Sequence, residues 1–156
     1  DGVDPWGSGR VVEFRRRIVY VHDRPVLLRR ASVLENAALG LIIRGMSREE
    51  AFRRVREILK SLEADYLIEK KVDELSAGEK QLISIVRAIA VEPEFLLLDE
   101  PFTNLDEKRR RSIADLLNEF KKRGAGIVIA SHLYEVLSDL EIDKELYIVN
   151  GVLKEG

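Results

Sequence analysis

The sequence predicts an α/β fold in which short buried strands alternate with amphipathic helices. Two apolar runs, at 95–98 and 127–130, are too short for helices and are bounded by proline, glycine or polar residues. Such runs are typical of strands that are buried on both faces. Between them, residues 107–123 place apolar side chains on one helical face. Because open α/β sheets bind ligands at the carboxyl ends of their strands, we expect a functional site at that edge.

Composition places the chain among soluble globular proteins. It has 156 residues, 46% hydrophobic and 35% charged, and no apolar run approaches the roughly 18 residues of a membrane span. The absence of cysteine excludes disulfides and thiolate metal sites. With a net charge of −2, no nucleic-acid partner is expected. Residues 1–56 carry 12 arginines against 7 acids, a basic surface that suits either solvent or phospholipid head groups.

The remaining elements follow from apolar periodicity and from capping or turn residues. We expect further strands at 18–21, 145–149 and 152–154, the last two joined as a hairpin by an Asn-Gly turn. We expect further helices at 32–44, at 47–62, from residue 76 onward and at 133–140.

Two adjacent acids follow the first apolar run. Asp99 and Glu100 lie between the predicted strand and Pro101. Asp99 is suited to hold Mg²⁺, directly or through water, because that ion takes few protein carboxylates and keeps waters and phosphate oxygens. Glu100 is then free to orient or deprotonate an attacking water. Since many strands end in acids, the pair alone does not distinguish a catalytic site from an ordinary strand end.

A second pattern begins at Ser76, upstream of this strand. Ser76 and Glu79 have the spacing of a helix capping box, and Gly78 lies beside the cap. The free amides and positive dipole end of such a helix can bind phosphate. The same spacing occurs at Ser32 and Ser47, and there we interpret it as a plain helix start.

Four motifs together resemble the ATP-binding-cassette (ABC) ATPases. Residues 75–81 (LSAGEKQ) are similar to the family's signature sequence, and residues 95–100 to its Walker B strand and catalytic glutamate. Residues 103–106 (TNLD) resemble the D-loop, and Ser131-His132 resembles the H-loop. No single motif is decisive, but the order and spacing of the four make the match specific.

This resemblance implies a partial P-loop NTPase (RecA-like) ABC ATPase core with an α-helical subdomain. The core would comprise residues 1–23 and 91–156, and the subdomain, with the signature helix, residues 24–90. The implied cofactors are ATP and Mg²⁺. Their implied ligands and catalytic groups within one chain are Asp99 for the metal, and Glu100 and His132 for hydrolysis.

The resemblance also implies a second nucleotide-binding domain as partner. The nucleotide-binding turn would consist of Ser76, Ala77, Gly78 and Glu79. Ser76 and the Gly78 amide would bind the γ-phosphate of the ATP held by that second domain, and Asp106 would lie at the interface between the two. ATP would then stabilise only the closed pair.

Two departures from the family pattern bear on function. Asp23, or His22 if the register slips by one, stands where the Q-loop has a glutamine, and an aspartate can reach Mg²⁺ only as an acceptor. No Gly-Lys-Ser/Thr occurs, and residues 2–8 have P-loop spacing without the lysine, so we interpret them as a loop. Without the lysine and backbone cradle of a P-loop, the chain alone is predicted to be inactive and to expose sheet edges.

The resemblance favours the ATPase subunit of an ABC transporter. Residues 27–36 are similar to the region after the Q-loop in importer ATPases, so the importer type is expected. Transmembrane permease subunits would then be further partners, and the location would be cytoplasmic, peripheral at the inner face of the cell membrane. Two alternatives stay open: a soluble ABC ATPase that moves no solute, and a non-catalytic module retained for interaction.

Overall fold

The computed structural model describes residues 9–156 together with residues 4 and 7, except for the side chains at 134 and 135. The loop expected over residues 2–8 therefore lies mostly outside the described residues. The helices of the described part are α1 (Val11–Arg17), α2 (Val33–Ile43), α3 (Arg48–Ser61), α4 (Ala77–Ala90), α5 (Glu107–Lys122) and α6 (Tyr134–Leu137). Short 3-10 turns at Asp65–Leu67 and Val72–Glu74 connect α3 to α4.

A parallel sheet forms the centre of the α/β fold, as predicted. Its strands, in hydrogen-bonded order, are β1 (Ile18–Val21), β2 (Phe95–Asp99) and β3 (Gly126–Ala130). Ile18 is paired with Phe95, and Phe95 with Gly126, so all three strands run in register and end at one edge. The connections between the strands contain helices, as parallel neighbours require.

The prediction that residues 95–98 are buried on both faces was wrong. Leu96 and Leu98 join the apolar core, but Phe95, on the opposite face, is 47% exposed. Val128 of β3 lies on the same open face and is 63% exposed. The reason is that α4 and α5 contribute their apolar side chains to the cluster containing Leu96 and Leu98, which covers only one side.

Helices α2, α3 and α4 pack against one another, and α4 also contacts β1. Each begins at a serine whose hydroxyl accepts a hydrogen bond from the backbone amide three residues on, and the three serines are Ser32, Ser47 and Ser76. In α3 the predicted stripe at Ala51, Val55 and Leu59 is buried. Most residues of α4 are buried, so this helix lies at the centre of the helical layer, between α2, α3 and β1.

Two helices differ from expectation. The sequence analysis assigned no helix before residue 18, yet Val11–Arg17 forms α1 directly before β1. Conversely, the helix expected at 133–140 is a single turn, Tyr134–Leu137. After that turn the amides of Asp139 and Leu140 bond to carbonyls three residues back, so the chain tightens instead of continuing as an α-helix.

The predicted hairpin is present as β4 (Leu146–Val149) and β5 (Val152–Glu155), paired antiparallel. Asn150 and Gly151 both have positive φ, +52° and +77°. This is the geometry of the tight turn that matches the twist of the flanking strands, and it explains why an Asn-Gly pair identified the hairpin.

Candidate functional site

The carboxyl ends of the three parallel strands bring the predicted polar residues to one edge of the sheet. His22 and Asp23 follow β1, Asp99 ends β2 with Glu100 after it, and His132 lies two residues beyond β3. The strand register aligns Asp99 with Ala130. Residues up to 110 positions apart in the chain thus meet at one edge, as predicted from the sequence for Asp99 and His132.

Glu100 is held firmly at this edge. Its backbone has φ of +46°, a left-handed conformation that is uncommon for residues other than glycine. The Glu100 amide donates to the Ala130 carbonyl at 2.8 Å, which ties the turn to the end of β3. Strain of this kind persists only where several surrounding contacts hold the residue in place, and it occurs often at active sites.

The carboxylate of Glu100 faces His132. The backbone amide of His132 donates to Oε1 at 3.2 Å, and the ring Nδ1 lies 2.7 Å from the same oxygen. The hydroxyls of Ser131 and Thr103 lie 3.4 and 3.5 Å from Oε2. With Nδ1 engaged by the carboxylate, the tautomer is set and Nε2 is left for another partner. The His132 side chain is 70% exposed, so that partner can come from solvent.

Asp99 has a partner that sequence reasoning missed. The hydroxyl of Tyr20, on β1, donates to Oδ2 of Asp99 at 2.9 Å. This hydrogen bond, then burial and the charges of Asp99 and Asp23, raise the pKa of Tyr20. No local motif marks Tyr20, because its distance from Asp99 depends on the pairing of β1 with β2. The alternation of the strand, which puts Tyr20 on the same face as Leu97, was the only available signal.

The site fits a single divalent cation better than a protein-only metal cage. Oδ1 of Asp99 has no hydrogen-bond partner among the described residues, so it is available to a ligand. Within the described part of the chain, no group of three or more histidine or acidic side chains could hold a metal. Mg²⁺ is usually bound by one or two carboxylates, with waters and phosphate oxygens as its other ligands.

Asp23 lies at the same edge but is exposed. Its Oδ1 accepts a hydrogen bond from the Arg24 amide at 2.8 Å, which forms a local turn. Among the described residues, Asp23 makes no hydrogen bond to Asp99 or Glu100. Its charge also contributes to the raised pKa of Tyr20.

The N-terminus of α4 forms a complete capping box. The Glu79 amide donates to the Ser76 hydroxyl at 3.2 Å, and the Ser76 amide donates to the Glu79 carboxylate at 2.8 Å. Ser76 and Ala77 are exposed, whereas Gly78 and Glu79 are buried. Helix geometry leaves the amides of Ala77 and Gly78 without an acceptor in the helix. This end of α4 therefore presents one donor on an exposed residue, the Ala77 amide, whereas Gly78 is buried.

Gly78 is needed for a close backbone contact. A Cβ at this position would lie 2.2 Å from the Asn104 carbonyl oxygen, a distance that no side chain tolerates. Asn104 belongs to the turn before α5, and that turn ends at Asp106. Asp106 is the N-cap of α5, since its carboxylate accepts from the Arg109 amide at 2.9 Å. The structure thus joins the α4 turn to residues 103–106, and among the described residues neither Ser76 nor Ala77 contacts Asp99 or Glu100.

Comparison with known proteins decides the family. A family model described as ABC transporter matches residues 3–103. The chain belongs to the ABC transporter family. It is 38% identical over 122 residues to the molybdate/tungstate import ATP-binding protein WtpC of Pyrococcus abyssi, covering 78% of this chain and 36% of that protein. It is 38% identical over 148 residues to the taurine import ATP-binding protein TauB of Pseudomonas aeruginosa, covering 92% and 55%.

Solved ABC cassettes share the fold. A dimeric ATP-binding cassette in a post-hydrolysis state, bound to ADP and Pi, superposes with a TM-score of 0.82 at 29% identity, covering 99% of this chain and 68% of that one. An ATP-binding subunit of an ABC transporter superposes with a TM-score of 0.81 at 26% identity, covering 95% and 62%. The chain spans only 36% to 55% of the length of the two curated ABC relatives described above.

One more residue of this ABC chain positions a surface that the sequence analysis linked to importers. Asn36 is fully buried in α2, and its amide accepts from the Leu28 backbone at 2.7 Å. The same side chain donates to the carbonyls of Leu28, at 3.1 Å, and Ser32, at 3.0 Å. This buried amide anchors the segment between β1 and α2.

That segment borders a groove of about 620 Å³. Its lining combines apolar and basic side chains with one acid, and the residues are Leu28, Arg29, Arg30, Ala31, Glu35, Leu39, Ile42 and Arg48. Arg48 is paired with Glu35 across the groove. In the described part of the chain, no helix combines the length and apolar character needed to cross a bilayer.

Proposed function

We propose that this chain is part of the ATP-hydrolysing subunit of an ABC transporter of the importer type. The observation that carries the proposal is the 2.7 Å contact between Glu100 and His132, next to Asp99 at the carboxyl edge of the sheet. The import type is supported by relatives named as molybdate/tungstate and taurine import ATP-binding proteins. Such a subunit would work in the cytoplasm, at the inner face of the membrane.

In this proposal Glu100 acts on the water that attacks the γ-phosphate of ATP. Its carboxylate can accept a proton from that water or orient it. His132 holds the carboxylate through its backbone amide and Nδ1. As an imidazolium, with both ring nitrogens protonated, it would also donate from Nε2 to a phosphate oxygen. Bound Mg²⁺ would neutralise the phosphate charge, and we assign its protein ligand to Asp99. Asp23 would reach the same ion through a water.

The α4 turn would serve the ATP of a second nucleotide-binding domain. Ser76 and the amides of Ala77 and Gly78 would donate to its γ-phosphate, helped by the helix dipole. Glu79 would keep Ser76 oriented through the capping box. Asp106 would lie at the interface of the two domains. The dimeric state of the ADP-bound cassette supports this arrangement.

We assign residues 24–90 to a helical subdomain that receives the permease, and residues 1–23 and 91–156 to the ATPase core. The groove beside α2 is the proposed docking surface. Its apolar lining residues, together with Arg29 and Arg30, suit an amphipathic helix of a permease that carries an acidic side chain. Asn36 would keep the groove in shape by anchoring the Leu28 backbone.

A first experiment measures nucleotide binding to the 156-residue chain. Since the sequence contains no Gly-Lys-Ser/Thr, calorimetry with Mg-ATP should show no binding in the micromolar range. The same polypeptide, extended at its N-terminus by a P-loop segment from the taurine relative, should bind and hydrolyse ATP. In that extended protein Glu100→Gln should lower kcat by about 10²- to 10⁴-fold, the usual contribution of a general base. Micromolar binding by the unextended chain would contradict the prediction that the chain alone is inactive. An extended protein whose kcat is unchanged by Glu100→Gln would contradict the role proposed for Glu100.

Two of the capping serines, Ser76 and Ser32, allow a controlled test of the role of the α4 turn in dimerisation. Ser76→Ala and Ser32→Ala each remove one capping hydroxyl, and each should cost about 1 kcal/mol of the free energy of unfolding. Only Ser76→Ala should weaken ATP-dependent dimerisation of the extended Glu100→Gln protein, as measured by sedimentation. Equal effects of the two serines on dimerisation would show that the α4 turn has no phosphate-binding role.

A further inference from the structure

Tyr66 connects two segments that are far apart in the sequence. It lies in the 3-10 turn Asp65–Leu67, after α3. Its hydroxyl donates to Oε1 of Glu79 at 3.2 Å and accepts a hydrogen bond from the guanidinium of Arg109. Both hydrogen-bonding roles of the phenol are therefore used within the protein.

The contacts on either side of Tyr66 extend this link to both helix caps. On one side the Glu79 carboxylate receives the Ser76 amide at 2.8 Å and the Lys70 ammonium at 2.8 Å. On the other side the Arg109 guanidinium lies 3.4 Å from the Asp106 carboxylate. The relay thus runs from the N-cap of α4 through Glu79, Tyr66 and Arg109 to the N-cap of α5.

The relay is buried at its Glu79 end and reaches the surface at Tyr66, which is 45% exposed. Glu79 is only 7% exposed, so its hydrogen bonds are formed where water competes poorly. The Lys70 ammonium also lies 5.1 Å from the centre of the Tyr66 ring, which fixes the ring from above. Each member has its position determined by at least two contacts.

Two independent contacts cross the same junction. The Gly78 backbone approaches the Asn104 carbonyl so closely that no side chain fits between them. Lys108, at the start of α5, pairs with Glu63, just after α3. Together with the hydrogen bond between Tyr66 and Arg109, these contacts join residues 63–78 to residues 104–109 at three places.

We infer that Tyr66 and Arg109 are positioning residues that hold the signature turn (residues 75–79) and the D-loop (residues 103–106) in one fixed arrangement. Neither side chain would touch nucleotide. Under the proposed function, on which this consequence rests, Ser76 and Asp106 both face the second domain. The relay would then set the spacing between the two groups that must reach that domain together.

The test uses amide hydrogen exchange of the 156-residue chain without nucleotide. The reporter amides are those of Ser76 and Glu79, since each is bonded within the capping box. Arg109→Gln does not touch either amide, yet it should raise their exchange rates about fivefold, the change expected from loss of one hydrogen bond. Tyr66→Phe, which removes a single oxygen, should do the same.

A double variant tests the relay itself. If Arg109 acts through Tyr66, the Tyr66→Phe/Arg109→Gln protein should exchange no faster than either single variant. Arg111→Gln is the matched control, because among the described residues Arg111 pairs only with Glu107 on its own helix, at 2.6 Å. It should leave both amides unchanged. Reciprocally, Glu79→Gln should change exchange of the Arg109 amide, which is bonded to Asp106.

The outcomes are decisive in either direction. The inference fails if Arg109→Gln behaves like Arg111→Gln, or if the single effects multiply in the double variant. It also fails if the β2 amides of Leu96 and Leu98 lose protection to the same extent, since that marks general destabilisation. Because no nucleotide is present, failure here leaves the proposed ATPase role untouched, and failure of that role leaves the relay intact.

Discussion

Single residues of this ABC chain contribute in different ways, some to the chemistry of the site and others to packing. Glu100 bears backbone strain and faces His132, whereas Gly78 carries no chemistry and permits a close approach to Asn104. Glu79 combines a structural and an electrostatic role. Burial raises its pKa, but the hydrogen bonds from Lys70 and Ser76 outweigh burial and lower it to about 2 from 4.5. A carboxylate this well satisfied makes folding depend on pH.

The sign of that dependence follows from linkage. Because the folded state holds Glu79 charged to lower pH than the unfolded state does, its stabilisation is full above pH 4.5 and is lost as pH falls towards 2. We expect a loss on the order of 2 kcal/mol in the free energy of unfolding over this range. Denaturant unfolding at several pH values should show that the free energy of unfolding of Glu79→Gln falls less between pH 4.5 and pH 2 than that of the unsubstituted chain. An equal loss of stability with falling pH in Glu79→Gln and in the unsubstituted chain would contradict this role for Glu79.

At the scale of elements, hydrogen-bonded ends decide where helices and loops lie. Three helices begin at serine caps with the same spacing, and only the tertiary setting distinguishes Ser76 from Ser32 and Ser47. The turn at Ser76 meets the D-loop, whereas Ser32 begins α2 beside the anchored loop. Local sequence therefore predicts a helix N-cap but not which segment of the chain packs against it.

The anchored loop before α2 makes a prediction. Asn36→Ala would leave the Leu28 amide and carbonyl without their buried partner, so it should cost about 2 kcal/mol of the free energy of unfolding. Amide exchange at Leu28 should rise more than at any residue of α5. Asn118→Ala removes an amide that holds the segment near Asp139 and Glu141. That control should leave Leu28 exchange unchanged, and equal effects would refute a local anchor.

At the scale of the whole molecule, the sheet has one covered and one open face. Phe95 and Val128 lie on the open face together with Ile18 and Tyr20, and all four are substantially exposed. The hairpin adds exposed apolar residues, with Ile148 76% exposed. Apolar surfaces of this kind associate in water, so the chain should self-associate as its concentration rises.

A pair of valines tests that expectation. Val128→Lys puts a charge in the open sheet face, and sedimentation should then show less association at equal concentration. Val12→Lys is the matched control, because Val12 is similarly exposed, at 68%, but lies on α1 outside the sheet. A chain that stays monomeric without substitution would contradict the expectation.

The amino-acid sequence by itself determined most of the elements, though not α1 or the shortness of α6, and it determined the chemistry of the site. Apolar runs, serine caps and the Asn-Gly turn identified strands, helices and the hairpin, because those signals act over a few residues. The meeting of Asp99 and Glu100 with His132 was also predictable, since parallel strands end at one edge. Only the tertiary structure decided that the sheet has an open face, that Tyr20 bonds to Asp99, and that Tyr66 joins two caps. Those contacts depend on strand register and helix packing over 40 to 80 residues, and no local pattern encodes such distances.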